Sequence, residues 1–204
     1  MIKMLRLTRE DKLEVVDALT AAFYDYPVMR FVLNTKGSEY DEQVRVLIGF
    51  FCEARFAKEG HVIGIRDENS LIAVGLIDEA VQKPWHNREA EQIRLKEAIG
   101  GEAYSRLEVY ETVSSQAEPE APHYFLGMLG VHPEHQGKGY SRKILDAVKK
   151  MSVQDQRSCG VCLSTERQEN VSLYEHFGYS VIAEITIDHL HSWCMFLPTL
   201  PFTR

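Results

Sequence analysis

The stretch Leu129-Gly130-Val131-His132-Pro133-Glu134-His135-Gln136-Gly137-Lys138-Gly139-Tyr140-Ser141-Arg142 decides how this sequence is read. It continues an apolar run that starts at Tyr124, passes a proline and two glycines, and enters a segment with Ile144, Leu145, Val148 and Met151 on one helical face. The expected order is strand, glycine loop, amphipathic helix over 138–152. Glycines at a helix start let backbone approach a ligand and leave amides pointing outward. With the positive end of the helix dipole, those amides make an anion site, and phosphate is the obvious guest.

Local charge agrees. Between His132 and Lys150 stand five basic residues (Lys138, Arg142, Lys143, Lys149, Lys150) and two acidic ones (Glu134, Asp146). This is an island of +3 in a chain of net charge −7, so the remainder carries −10. Two other phosphate loops do not fit. A Walker A loop ending at Gly137-Lys138 needs glycine where His132 stands and Ser or Thr where Gly139 stands. A dinucleotide fingerprint from Gly137 needs glycine where Arg142 stands.

Working outward, 161–164 reads as an apolar strand, and 169–177 as a short helix stopped by Gly178. Residues 179–187 and 192–197 read as closing strands. Upstream, 3–8 is expected as a strand, and 10–23 as a helix burying Leu13, Val16, Leu19 and Phe23. A second helix is expected over 42–58. Residues 62–65 and 71–77 flank Asp67-Glu68-Asn69-Ser70, the turn chemistry of a hairpin. A charged, helix-favouring stretch over 87–113 breaks at Gly100-Gly101 into two helices, and a polar, proline-containing connector follows. Strands alternating with helices in the second half imply a mixed α/β fold with at least one parallel crossover, flanked by antiparallel hairpins.

With 204 residues, 45% hydrophobic and 26% charged, the chain suits one globular domain over 1–204. Its acidic surface disfavours general nucleic-acid or membrane-surface binding. No apolar run approaches the ~18 residues of a membrane span. The charged N-terminal stretch does not suit a signal peptide, and Cys52, Cys159, Cys162 and Cys194 lie inside apolar segments. A cytoplasmic protein is expected.

Gln136-x-x-Gly139-x-Ser141 resembles the acetyl-CoA pyrophosphate loop, Gln/Arg-x-x-Gly-x-Gly/Ala, of the GCN5-related N-acetyltransferase (GNAT) superfamily. Ser141 departs from the pattern but is small, and its hydroxyl suits a phosphate. Downstream, Leu163-Ser-Thr-Glu-Arg-Gln-Glu-Asn170-Val-Ser-Leu-Tyr174-Glu-His-Phe177-Gly178-Tyr179 resembles the second signature of the same superfamily. Asn170 and Tyr174, four apart, share one helix face. Segments around Ala22-Phe23, Pro27-Val28-Met29-Arg30, Pro122-His123 and Trp193-Cys194-Met195, with the helical insert, resemble the puromycin N-acetyltransferase-like branch.

The resemblance implies a mostly antiparallel central sheet with flanking helices and a V-shaped split between two parallel strands. The cofactor-binding core then spans about 123–178, with the helical insert at about 87–121. It implies acetyl transfer from acetyl-CoA directly to a primary amine, with no metal. Leu129, Gly130 and Val131 would pair with the pantetheine arm, and an amide there would polarise the thioester carbonyl. Gln136, Gly137, Lys138, Gly139, Tyr140 and Ser141 would hold the pyrophosphate, and Asn170 would contact the pantetheine region. Tyr174 would protonate the departing thiolate, since a phenol with a pKa of about 10 stays protonated at neutral pH. Glu111, Tyr124 and residues near His123 are candidates for the base. The expected partners are acetyl-CoA and an amine acceptor, with the chain a monomer or homodimer. A protein lysine or N-terminal acetyltransferase and a non-catalytic acyl-CoA-binding module are the alternatives. Cys159-Gly-Val-Cys162 has redox-motif spacing but begins a strand, so structural cysteines are expected. His132 and His135 read as loop residues beside the phosphates rather than metal ligands.

Overall fold

In a computed structural model, which describes residues 2–68 and 70–199, the chain folds as one mixed sheet covered by helices on both faces. Asn69, at the expected hairpin turn, lies outside the described residues. The first half supplies β1 (Ile2–Arg6), α1 (Lys12–Phe23), α2 (Pro27–Leu33), α3 (Gly37–Ala57), β2 (His61–Asp67) and β3 (Ser70–Asp78). The second half supplies α4 (Arg88–Ile99), α5 (Gly101–Gln116), β4 (Tyr124–Val131), α6 (Tyr140–Gln154), β5 (Gly160–Thr165), α7 (Gln168–His176), β6 (Ser180–Ile187) and β7 (Leu190–Pro198). Strand order is β1-β2-β3-β4-β5-β7-β6, and every neighbouring pair is antiparallel except β4 with β5.

The one parallel pair is short. Only Tyr124↔Val161 and Phe125↔Cys162 are in register, after which the strands diverge into a V. β4 also carries an extra residue. Opposite it, Leu76 pairs with Met128 and Ile77 with Leu126, so Gly127 is bulged out of the β3 ladder.

One face of the sheet packs against α1 to α5, with Val16, Leu19, Tyr40, Val44, Leu47 and Leu107 in its core. The other packs against α6 and α7 through residues such as Ile144, Leu145, Val148, Leu163 and Tyr174. Close approach fixes Gly130. A Cβ there would lie 2.8 Å from Leu19 and 2.9 Å from Ala22, so α1 can press directly onto β4.

Three local expectations are corrected. Leu13 is 73% exposed, and α1 instead buries Val15 beside Val16, Leu19 and Phe23. The second long helix starts earlier, at Gly37. A short extra helix, α2, forms because Pro27 occupies its first turn, where no amide donor is needed. The insert is two helices meeting at Gly100-Gly101, with Gly100 at φ 85° making the corner.

Candidate active site

The glycine loop joins the open end of β4 to α6. Gly137 (φ 74°) and Gly139 (φ 78°) both take the left-handed conformation, and Gly139 is the residue that caps α6. A Cβ at either would meet nothing within 4 Å, so these glycines serve backbone shape and leave the space above the loop open. No acidic side chain stands in the first turn of α6 to offset its dipole. Gln136 Nε2 donates to the Val131 carbonyl at 3.2 Å, tying the loop to the strand, and Lys138 Nζ donates to the Glu134 carbonyl at 3.0 Å. Ser141 lies in the first helical turn, partly exposed. The side chain of Tyr140 is 8% exposed and packs in the core with Ile144, so what Tyr140 offers an anion is its amide. The loop therefore has the form of an anion cradle. His132 and His135 stack edge-on at 6.0 Å, and His132 Nδ1 accepts from the Glu134 amide.

Leu129, Gly130 and Val131 pair with β3 through Gly75, Val74 and Ala73. On their other side β5 has already turned away, so among the described residues no strand takes up that edge of β4. A ligand arm carrying amides can add itself there as a strand would.

Beside the split lies a cavity of about 610 Å³. Leu129, Asn170 and Tyr174 all line it, so the structure brings these three candidates together, while the glycine loop stays outside its wall. Tyr174 is 9% exposed and packs edge-on against Tyr179 at 5.9 Å. Burial, with the nearby Glu166 charge, pushes its hydroxyl up to about 12. Asn170 Nδ2 donates to Thr165 Oγ1 at 3.2 Å, which anchors α7 to the end of β5.

The site contains a carboxylate that the sequence reading passed over. Glu166, just beyond β5, is 9% exposed and lines the cavity. Its Oε1 accepts from Tyr110 at 2.8 Å and from Ser192 at 2.7 Å, and its amide donates to the Tyr26 hydroxyl at 3.3 Å. Burial raises its pKa, and the hydrogen bonds from Ser192, Tyr110 and Tyr26 oppose that rise. Those partners come from β7, α5 and the α1–α2 connection, so no local pattern could reveal them. The one signal available was an acidic residue at the end of an apolar strand, near the start of the second motif.

Of the base candidates, Glu111 lines the cavity, its pKa raised by burial against the pull of Arg88 and Lys58. Tyr124 does not reach the cavity. It packs on the α6 side, its ring stacked with His61 at 6.4 Å. His123 is likewise outside the wall, bonded to the Ala121 carbonyl at 2.8 Å and paired with Glu118 at 3.4 Å. Cys162 faces Cys194 across β5 and β7, Sγ to Sγ 3.5 Å, rather than Cys159. Both are buried among apolar strands, as structural cysteines are.

Comparison with known proteins bears on the domain and the fold. The model of the acetyltransferase (GNAT) domain family matches residues 95–181. An uncharacterised N-acetyltransferase of Schizosaccharomyces pombe is 22% identical over 182 residues, covering 85% of this chain and 72% of that protein. A crystal structure described as histone acetyltransferase HPA2 and related acetyltransferase, from Corynebacterium glutamicum, superposes with a TM-score of 0.74 at 20% identity, covering 99% of both chains. The polyamine N-acetyltransferase of Drosophila melanogaster, which forms N-acetylagmatine, gives 0.62 at 12% identity, covering 96% of this chain and 98% of its own.

Proposed function

We propose that this chain, which a GNAT acetyltransferase domain model matches over residues 95–181, transfers the acetyl group of acetyl-CoA directly to the primary amine of a small molecule. The observation that carries this reading is the junction of the free β4 edge with a walled cavity holding Tyr174 and Glu166. A small acceptor is favoured because α5 walls one side of the cavity with Leu107, Tyr110, Glu111 and Ser114. Amine acceptors also suit the fold, since a polyamine acetyltransferase shares it.

In this mechanism the amides of Gly137 to Ser141 and the N-terminus of α6 hold the pyrophosphate, with Lys138 and Arg142 adding charge from outside. The β4 edge at Leu129 to Val131 aligns the pantetheine arm, and a strand amide there donates to the thioester carbonyl as charge builds on its oxygen. Asn170 fixes the start of α7 near that arm. The amine nitrogen bonds to the carbonyl carbon and the carbon–sulfur bond breaks. Glu166 takes the amine proton, directly or through one water, as a carboxylate with a raised pKa is suited to do. Tyr174, held protonated, gives its proton to the leaving sulfur. One proton leaves nitrogen and one reaches sulfur, so the chemistry balances.

Calorimetry with acetyl-CoA and a thiol-release assay over an amine panel test the reading. Micromolar binding and amine-dependent thiol release are expected, and absence of acetyl-CoA binding would overturn it. Tyr174→Phe should lower kcat by roughly 10²-fold or more while acetyl-CoA affinity stays nearly unchanged. An unaltered kcat removes Tyr174 from the mechanism.

A further inference from the structure

The cavity has a second polar group that the transfer step does not use. Arg55, near the end of α3, and Asp78, the last residue of β3, both line it and are 7% and 4% exposed. They form an ion pair through Nη1 and Oδ2. Among the described residues, Nε of Arg55 and Oδ1 of Asp78 are buried without a hydrogen-bond partner. Lys58 Nζ stands on the same carboxylate, 2.9 Å from Oδ2, and 3.1 Å from Gln82 Oε1. Two cations thus share one buried carboxylate. Burial depresses the Lys58 pKa, Asp78 resists this, and the charges of Arg55 and Arg88 add to it.

A guanidinium whose only task was to fasten α3 to β3 would spend its donors on the carboxylate or on carbonyls, as buried polar groups do. Here Nη1 is taken up by the Asp78 carboxylate and Nε is buried, so Nη2 is the donor left for an incoming oxyanion. It also lies against the β4 bulge. A Cβ on the bulged Gly127 of β4 would lie 2.5 Å from Arg55 Nη2. Glu166 and Tyr110 approach from the β5 side of the split, and the wall also carries Phe50, Phe51 and Trp85, the Phe50 and Trp85 rings 5.2 Å apart.

We propose that the acceptor is an amino-carboxylate: its amine meets Glu166 and Tyr174, its carboxylate is held by Arg55 and Lys58, and its apolar body lies against Phe50, Phe51 and Trp85. Beside Glu111 and Arg88, which offset one another, Arg55 and Lys58 exceed Asp78 by one positive charge, which a carboxylate matches. The proposal rests on the acetyl-transfer reading and names the substrate class of that site.

Matched pairs that differ only by the carboxylate test it: phenylalanine against phenethylamine, and 6-aminohexanoate against hexylamine. The carboxylate member of at least one pair should show roughly 10- to 100-fold higher kcat/KM, the span of one charge-assisted hydrogen-bonded pair. Arg55→Met and Lys58→Met should bring that ratio towards one. Lys58 is the more peripheral of the two, so Lys58→Met keeps the test alive if Arg55→Met does not fold. Preference for the simple amines, or a ratio unchanged in Lys58→Met, overturns the amino-carboxylate while leaving acetyl transfer standing. If acetyl-CoA binds but neither pair reacts, calorimetry of phenylalanine and 6-aminohexanoate on the CoA-loaded protein decides: binding that Lys58→Met weakens supports the proposal, and no binding overturns it. Failure to bind acetyl-CoA removes both readings together.

Discussion

The glycine loop at the start of α6 and the cavity beneath α5 do their work with opposite materials. The loop is backbone: left-handed glycines, unencumbered amides and exposed cations, all supplied by one continuous stretch. The cavity is side chain: Glu166, Tyr110, Arg55 and Asp78, brought together from four separate parts of the chain. A site made of backbone is written locally and tolerates exposure. A site made of buried charge exists only once the topology is complete, and each of its members works against the stability of the fold.

The sharpest way to break this contrast is Glu166→Gln. The amide keeps an oxygen for Tyr110 and Ser192 but cannot take a proton, so kcat should fall by roughly 10²- to 10⁴-fold. Stability should move the other way. Burial holds the folded-state pKa of Glu166 above its unfolded value. The stability contributed by its protonated form is therefore full below the unfolded pKa and lost as pH rises through the folded one. At neutral pH the variant should melt at or above the parent temperature in a thermal scan. The acid limb of the parent pH–rate profile should lie above the ordinary carboxylate range and vanish in the variant. A lower melting temperature with activity retained would show that Glu166 is structural.

Next in size is Gly139→Val. A β-branched residue at φ 78° is strained by ~1–2 kcal/mol, and its side chain fills the open cradle. Acetyl-CoA affinity should drop about tenfold or more by calorimetry while the cavity residues keep their geometry. The smallest effect is expected at Lys138→Glu. An exposed charge reversal should weaken acetyl-CoA binding a few-fold, more at low salt than at high. A salt-independent loss would mean that Lys138 acts through its bond to the Glu134 carbonyl instead.

The same contrast explains what could be read from the sequence. The strand–loop–helix unit, the Asn170–Tyr174 spacing and the hinge at Gly100 are local patterns, and the elements appear where those patterns place them. The face of α1 was misread because Leu13 fits helical spacing as well as Val15 does, and only docking on the sheet separates them. Helix α2 is too short for periodicity to announce it. Gly127 gave no sign of its bulge, because the misfit arises between β3 and β4 and belongs to neither alone. Net charge does not describe the cavity wall. Against a remainder of −10, that wall sets the acidic Asp78, Glu111, Glu118 and Glu166 against the basic Arg55, Lys58, Lys83 and Arg88. The carboxylates are spread over the molecule, and their total says nothing of that wall.

The brevity of the β4–β5 pairing has a mechanical consequence. With two residue pairs joining them, β1-β2-β3-β4 and β5-β7-β6 are two sub-sheets sharing a narrow seam. Opening that seam breaks few hydrogen bonds, so faster amide exchange is expected there than at the longer β2–β3 and β6–β7 ladders. A ligand arm bridging the V reaches both sub-sheets at once, so occupancy should suture the two halves and slow exchange in both.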